Sequence, residues 1–285
     1  MKAILILPGY RPEVAKLAES APLATVPFLG ESLAAYWLVH LAARGATEVT
    51  LLACDRPGAV RQFVGNGARW GLRLKVVAEI HELTPEEART RHGGGDGWLP
   101  SPDDAVVADH LPGLPGHRLC ASYAAWFAAA QAWLDRAVTP DRVGVKEVRP
   151  GVRVGWRSRI PADATLVAPC WIGEKVRLAP GVTIGPYAII EDRAVVEAGA
   201  TVARSIVGPE TLVGEQTEVA DSLAAGDTLI NWRDGSCLQV PDEFLLCPLR
   251  RPPGDATEWF RRVTQALTGS TPPMLPADHV TLPHA

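Results

Sequence analysis

Three groups of residues have side chains or backbone suited to chemistry, and their spacing sorts them. The run His92-Gly93-Gly94-Gly95-Asp96-Gly97 has the composition of a phosphate cradle, in which backbone N–H groups come close to an anion. It is not set between a clear strand and a helix, as a cradle requires, and so reads as a flexible loop. The seven histidines, at 40, 81, 92, 110, 117, 279 and 284, never approach one another in a ligand pattern. None lies within residues 145–245. The five cysteines, at 54, 120, 170, 237 and 247, show no CxxC or metal spacing, which suits reduced core thiols better than a disulfide frame.

Stepping outward from those groups, the most regular stretch is residues 148–202. Val148, Val154, Ile160, Leu166, Ile172, Leu178, Ile184, Ile190, Val196 and Val202 place an aliphatic at every sixth position. Between them fall small or modest residues such as Cys170, Val176, Ala188, Ala194 and Ala200. A period of six fits neither a helix turn nor the alternation of an open sheet. It fits a parallel β-solenoid, in which three hexamers make one coil of about 18 residues and the aliphatics fill a narrow core. The period slips by one after Val202 and resumes at Val207, Val213 and Val219, as a single shortened corner would produce. Beyond it, Thr228–Arg233 and Ser236–Val240 flank Asp234-Gly235 and spell a hairpin with a two-residue turn, placed to cap the coils.

The first 80 residues have a different rhythm. Ala3–Leu7 is a continuous aliphatic run ended by Pro8-Gly9, as in a buried parallel strand. An apolar helix follows over Ser32–Ala43, then a strand over Glu48–Ala53, a short helix over Arg56–Val64 and a strand over Leu72–Val77. That alternation predicts a right-handed α/β unit of Rossmann type. Later, Ser122–Arg136 reads as a helix whose aromatics (Trp126, Phe127, Trp133) pack a core, and Thr257–Thr268 as a short amphipathic helix before a Pro-rich tail.

Two stretches resemble known families. The hexamer pattern resembles the hexapeptide-repeat proteins, which implies a left-handed parallel β-helix. The run Gly45-Ala46-Thr47-Glu48-Val49, continuing through Gly65-Asn66-Gly67-Ala68-Arg69-Trp70-Gly71-Leu72 to a strand ending in Glu79, resembles the sugar-1-phosphate nucleotidyltransferases. There an "AGITEV" strand leads to a "GDGSRWGL" turn. Pro27–Tyr36 is similar to that family's "PVGGKPLIEY" segment. Many of those enzymes also carry hexapeptide repeats at the C-terminus. The implied fold is a shortened Rossmann-like nucleotidyltransferase domain over residues 1–140, a left-handed β-helix with capping hairpin over 145–246, and a helix and tail over 247–285.

The resemblance also carries functional residues, and here the chain departs from the family. The family's GGxGTRLxPLT loop holds nucleotide phosphates, and it aligns with Pro8–Leu17. Gly9 survives, Glu13 stands where the Arg would be, and Arg11 and Lys16 are the remaining candidates for binding phosphate. The essential Lys of the PKPLLP segment aligns with Leu23. Asp109, after Ala105-Val106-Val107-Ala108, matches the family's metal-binding Asp; as a bare sequence feature it is equally an ordinary acidic residue at a strand end. Residues 110–147, 38 in all, replace the much longer segment that builds the sugar-phosphate pocket.

Composition sets outer limits. The chain has 285 residues, 47% hydrophobic and 21% charged, enough for two domains. It has no run of the roughly 18–20 apolar residues needed to span a membrane and no cleavable signal pattern at Met1, so a cytoplasmic protein is expected. A net charge of -4 gives no sign of nucleic-acid binding. Three functions follow as expectations. One is a catalytically impaired nucleotidyltransferase-like protein that binds a sugar nucleotide and acts as a regulatory or scaffold subunit. Another is an active nucleotidyltransferase with a rearranged phosphate site, using Mg²⁺. The last is a sugar acyltransferase, disfavoured because the coils lack His. The partners expected are an NTP or NDP-sugar, and either further copies of the chain or a nucleotidyltransferase or glycosyltransferase.

Overall fold

A computed structural model describes residues 1–137 and 143–249 of the chain, and within them Met1–Leu249 form one compact unit. The expected helix at 257–268 and the tail lie outside the described residues. The protein is an α/β structure with parallel sheets and many short strands. Among the described residues no helix is long and apolar enough to cross a membrane.

The N-terminal half runs β1 (Lys2–Ile6), β2 (Pro27–Phe28), β3 (Glu31–Ser32), α1 (Leu33–Ala43), β4 (Glu48–Ala53), α2 (Pro57–Val64), β5 (Arg73–Ala78), α3 (Pro85–His92), β6 (Ala105–Val107) and α4 (Tyr123–Arg136). Four strands form a parallel sheet in the order β5-β4-β1-β6. From Ala3 onward the inner strand β1 is apolar, because both of its faces are covered. Ala3, Leu5 and Leu7 join the main core, while Ile4 and Ile6 join a second cluster with Leu83 and Ala88 at the start of α3. Helix α1 begins where Ser32 Oγ accepts the Ala35 N–H, and Gly45 ends it at φ +92°. The sequence reading assigns no helix to 85–92, yet Thr84 and Glu87 form a reciprocal capping box with Pro85 at the first helical position.

From residue 152 the chain visits three sheets of short strands in turn. Val152–Gly155, Cys170–Ile172, Ala188–Ile190, Ile206–Val207 and Ser222–Ala225 pair in parallel series. Thr165–Leu166, Thr183–Ile184, Thr201–Ala203 and Glu218–Ala220 form a second series, and Arg177–Leu178, Val195–Val196 and Thr211–Val213 a third. The every-sixth aliphatics from Ile172 onward line a common core: Ile172, Ile184, Ile190, Val196 and Val202 are each fully buried.

The slip in the period occurs twice. Cys170 faces Val152 and Ala188, a step of 18 residues, whereas Ile189 faces Ile206 and Ile206 faces Leu223, a step of 17. The first short connection has lost the counterpart of Pro186, and Arg204 (φ +46°) turns the chain where Tyr187 (φ +53°) does before the preceding strand of the series.

Two expectations need correction. Val148 is not a core position: it sits on β7 (Val145–Arg149), which runs antiparallel along Val152–Gly155 and leaves Val148 60% exposed. The hairpin forms over Thr228–Asn231 and Cys237–Gln239, but its loop is longer than Asp234-Gly235, closing with Asn231 N–H donating to Ser236 O at 2.9 Å. Trp232 explains the difference. Its ring is drawn out of the turn to stack on Phe127 at 4.5 Å, and its indole N–H donates to Arg204 O at 2.9 Å. A segment without a sequence signal, Leu246–Pro248, adds antiparallel to Thr211–Val213 and covers a further strand edge.

The two halves share their largest core. On successive strands of the first series, Trp171, Ile189, Ile206 and Leu223 belong to the main core rather than to the one lined by Ile172 and Ile190, and they cluster there with Trp126, Phe127 and Trp133 of α4. The matching outward column of the second sheet is Thr165, Thr183, Thr201 and Glu218, which faces solvent. Burying an aliphatic or aromatic side chain stabilises by roughly 1.5–3 kcal/mol, so the apolar column binds the halves firmly.

Candidate functional site

In an open parallel sheet, ligands bind beyond the C-terminal strand ends where the strand order reverses. Here the reversal is at β1, flanked by β4 and β6. The loop after β1 carries Gly9 and Arg11, and the loop after β6 carries Asp109. Cys54 follows β4, and the irregular segment 79–84 follows β5.

These loops meet. The Gly9 N–H donates to Glu82 Oε2 at 2.8 Å, and the Arg11 guanidinium donates to the same oxygen at 2.6 Å. Gly9 is required by close approach: a Cβ there would lie 2.9 Å from Cys54 Sγ. Burial raises the Cys54 thiol pKa, and the Glu82 carboxylate adds to the rise. Burial pushes the Cys120 thiol up to about 12, opposed by the Arg11 charge and reinforced by Asp109 and Glu82. Both cysteines are therefore protonated walls of the crevice.

Asp109 lies at the same edge, with its oxygens already engaged. Oδ1 is 2.7 Å from His110 Nδ1, and Oδ2 is 3.5 Å from Arg118 Nε. Burial works to raise its pKa, but the His110 hydrogen bond and the two cationic neighbours hold it below the usual carboxylate value. Among the described residues no three His, Cys, Asp or Glu side chains come together to hold a metal ion. A single carboxylate bridging two basic groups does not offer the oxygen-rich shell that Mg²⁺ takes.

The remaining sequence candidates are dispersed. Lys16 bonds Glu19 at 2.7 Å, which raises its pKa, and its backbone N–H donates to Tyr123 Oη at 3.2 Å. A further acidic neighbour that adds to the rise, Asp227, belongs to the C-terminal hairpin region. Glu13 is exposed, whereas Leu23 is fully buried in the main core. The glycine cluster 93–97 is at the opposite end of β1: Gly93 closes α3, and Gly97 O accepts the Lys2 N–H at 2.7 Å. Glu79 directly follows β5, its side chain 7% exposed, with Arg91 at 2.5 Å and His92 at 2.7 Å.

A second carboxylate grips backbone where the halves meet. The chain turns between β2 and β3 at Leu29 (φ +54°) and Gly30 (φ +76°), a two-residue turn of the mirror-image type. Leu29 N–H donates to Glu191 Oε1 at 2.5 Å and Gly30 N–H to Oε2 at 2.7 Å. Glu191 is only 2% exposed. It directly follows Ile190, which is in register with Val154, Ile172 and Val207, and these three are followed by Gly155, Gly173 and Gly208. The glycine column is needed for packing, since a Cβ on Gly155 would lie 2.3 Å from the Gly173 carbonyl carbon.

Sequence reasoning missed both Glu82 and Glu191. Nothing in the local sequence marks Glu82, whose role depends on a loop contact 73 residues away along the chain. Glu191 had a signal: a large charged residue interrupts a column that otherwise reads Gly155, Gly173, Gly208 and Ala225. No protein-family model matches this chain, and no curated protein matches it.

Proposed function

We propose that this chain is a catalytically silent, sugar-1-phosphate nucleotidyltransferase-like protein that serves nucleotide-sugar metabolism as a regulatory or scaffold subunit. On this reading the N-terminal half is a shortened Rossmann-like nucleotidyltransferase domain, and the coils are a left-handed β-helix. The 18- and 17-residue register steps across three parallel series support the second assignment.

The observation that carries the reading is the pairing of Gly9 N–H and Arg11 with Glu82 at 2.8 and 2.6 Å. Transfer of a nucleotidyl group needs cationic and N–H donors aimed at charge developing on phosphorus-bound oxygens. Here the two donors that the sequence retains are neutralised by an internal carboxylate, and Leu23 is in the core where the family's Lys would act. A panel of NTPs and sugar-1-phosphates with Mg²⁺ tests this directly. Pyrophosphate release no faster than the protein-free blank is expected, and steady turnover with any pair would refute the proposal.

A further inference from the structure

We propose that the basic end of the third strand series docks on an anionic lipid bilayer, with Arg157, Arg159, Lys175 and Arg177 meeting the headgroup charge and Trp156 entering the interface. The inference goes beyond the reading of the chain as silent and does not depend on it.

The cations form a grid. The Arg177 strand pairs in parallel with the Val195 strand, and on its other side Arg177 bridges to Arg159. Leu178 joins the interior core and Ile160 packs against it, so by alternation Arg177 and Arg159 face solvent, and both are exposed. Just before them, the connections from the first series stack in the same order. Lys175 N–H donates to Trp156 O at 3.0 Å, Arg193 N–H to Glu174 O at 2.8 Å and Glu210 N–H to Asp192 O at 3.0 Å. Arg157 (φ +60°), Lys175 (φ +57°), Arg193 (φ +60°) and Glu210 (φ +52°) therefore hold equivalent turn positions. In this column Arg193 is matched by Glu210 at 2.6 Å, whereas Arg157 has Lys175 beside it.

Neighbouring strands lie about 4.8 Å apart, so Arg159 with Arg177, and Arg157 with Lys175, are like charges side by side, which costs stability. The nearest acids do not relieve it. Asp192 Oδ1 accepts the Glu174 N–H at 2.8 Å, Glu174 Oε1 sits against Gly144, and Glu210 is held by Arg193. Among the described residues Arg159, Lys175 and Arg177 join no ion pair. The outward column turns apolar beyond them, at Val195 and Leu212, so the positive charge is confined to one end.

Two features select a bilayer over a linear polyanion. The grid extends both along and across the strands of a sheet face, so a planar field of headgroups meets all of its cations at once, whereas a linear polymer follows one column. Beside the grid, Trp156 is 63% exposed, with the Arg157 guanidinium 4.5 Å from its ring centroid. An indole has an apolar body and a polar N–H, which suits the headgroup level of a membrane. The chain carries a net charge of -4, so an anionic surface attracts this end and repels the rest, which fixes the orientation of approach.

Flotation of the full-length chain with phosphatidylcholine vesicles, with and without phosphatidylglycerol, tests the proposal. Wild type should bind the anionic vesicles alone and be released as salt rises. Each cation near such a surface is worth about fivefold in partition, so Arg159→Gln/Arg177→Gln should bind about 25-fold more weakly. Its melting temperature should hold or rise, because a like-charge pair has gone. Arg73→Gln/Lys75→Gln, which removes the same charge from the exposed strand β5, should bind much as wild type does. Quenching of tryptophan fluorescence by bromine-labelled lipid should fall in Trp156→Phe.

The proposal is overturned if wild type does not float with anionic vesicles, if the β5 variant loses as much binding as the Arg159/Arg177 variant, or if quenching is undiminished in Trp156→Phe. Binding to heparin without binding to vesicles would assign the face to a linear polymer and overturn it as well. None of these outcomes bears on turnover, so the silence of the crevice stands or falls separately.

Discussion

Two carboxylates in this protein hold backbone amides, and they differ in everything except that chemistry. Glu191 directly follows the strand Ala188–Ile190, is 2% exposed, and uses both oxygens on the Leu29-Gly30 turn. Glu82 extends from an irregular loop, has a side chain 22% exposed, and uses one oxygen on Gly9 and Arg11. In the first pair the acceptor is buried and so is the Leu29 donor, so breaking it leaves a buried N–H unpaired. The second is bathed at its edge, so breaking it costs little. Similar contacts thus make a permanent joint at one place and a replaceable one at the other.

The largest effect that would sharpen this contrast is at the joint. Glu191→Ala strands the buried Leu29 N–H and the part-buried Gly30 N–H and is expected to cost about 2 kcal/mol or more in urea unfolding. A loss under about 1 kcal/mol would put Glu191 on the same footing as Glu82 and break the comparison. Next comes the glycine column beside it. Gly155→Ala forces a methyl to within 2.3 Å of the Gly173 carbonyl carbon and should cost about 2 kcal/mol, measured the same way.

At the crevice the expected changes shrink. Glu82→Ala removes a part-hydrated ion pair and should change stability by less than about 1 kcal/mol. The smallest effect is a pH slope in the same half of the molecule. Hydrogen bonds from Arg89 at 2.6 and 2.9 Å hold the Asp104 carboxyl below its usual range. A depressed folded pKa contributes stability that is present above the unfolded value, about 3.9, and is lost as pH falls through the folded one. Arg89→Met should therefore flatten the acid limb of a stability–pH profile below about pH 4, by a few tenths of a kcal/mol.

How much of this was readable in the sequence depends on how local the cause is. The apolar core of the short parallel strands was legible because its rule repeats every six residues, and β1, α1 and β4 were legible from continuous or periodic apolar runs. Val148 misled because it keeps the spacing while lying on an antiparallel edge strand, a difference no period records. Trp171, Ile189, Ile206 and Leu223 form an apolar column where the neighbouring sheet carries threonines, so the buried seam had a signal that the six-residue reading passed over. Helix α3 was announced by Thr84 and Glu87. At the candidate site the sequence pointed to Gly9, Arg11 and Asp109 but not to what neutralises them. Glu82 acts across a long chain separation, and nothing local distinguishes it from any exposed loop glutamate.

The most direct test of the contrast follows two amides, Gly9 and Leu29, by native-state hydrogen exchange, because each donates to one of the two carboxylates. Leu29 should exchange only with opening of the shared core, and Gly9 at least about tenfold faster. Equal protection of the two amides would contradict the difference drawn between the joints.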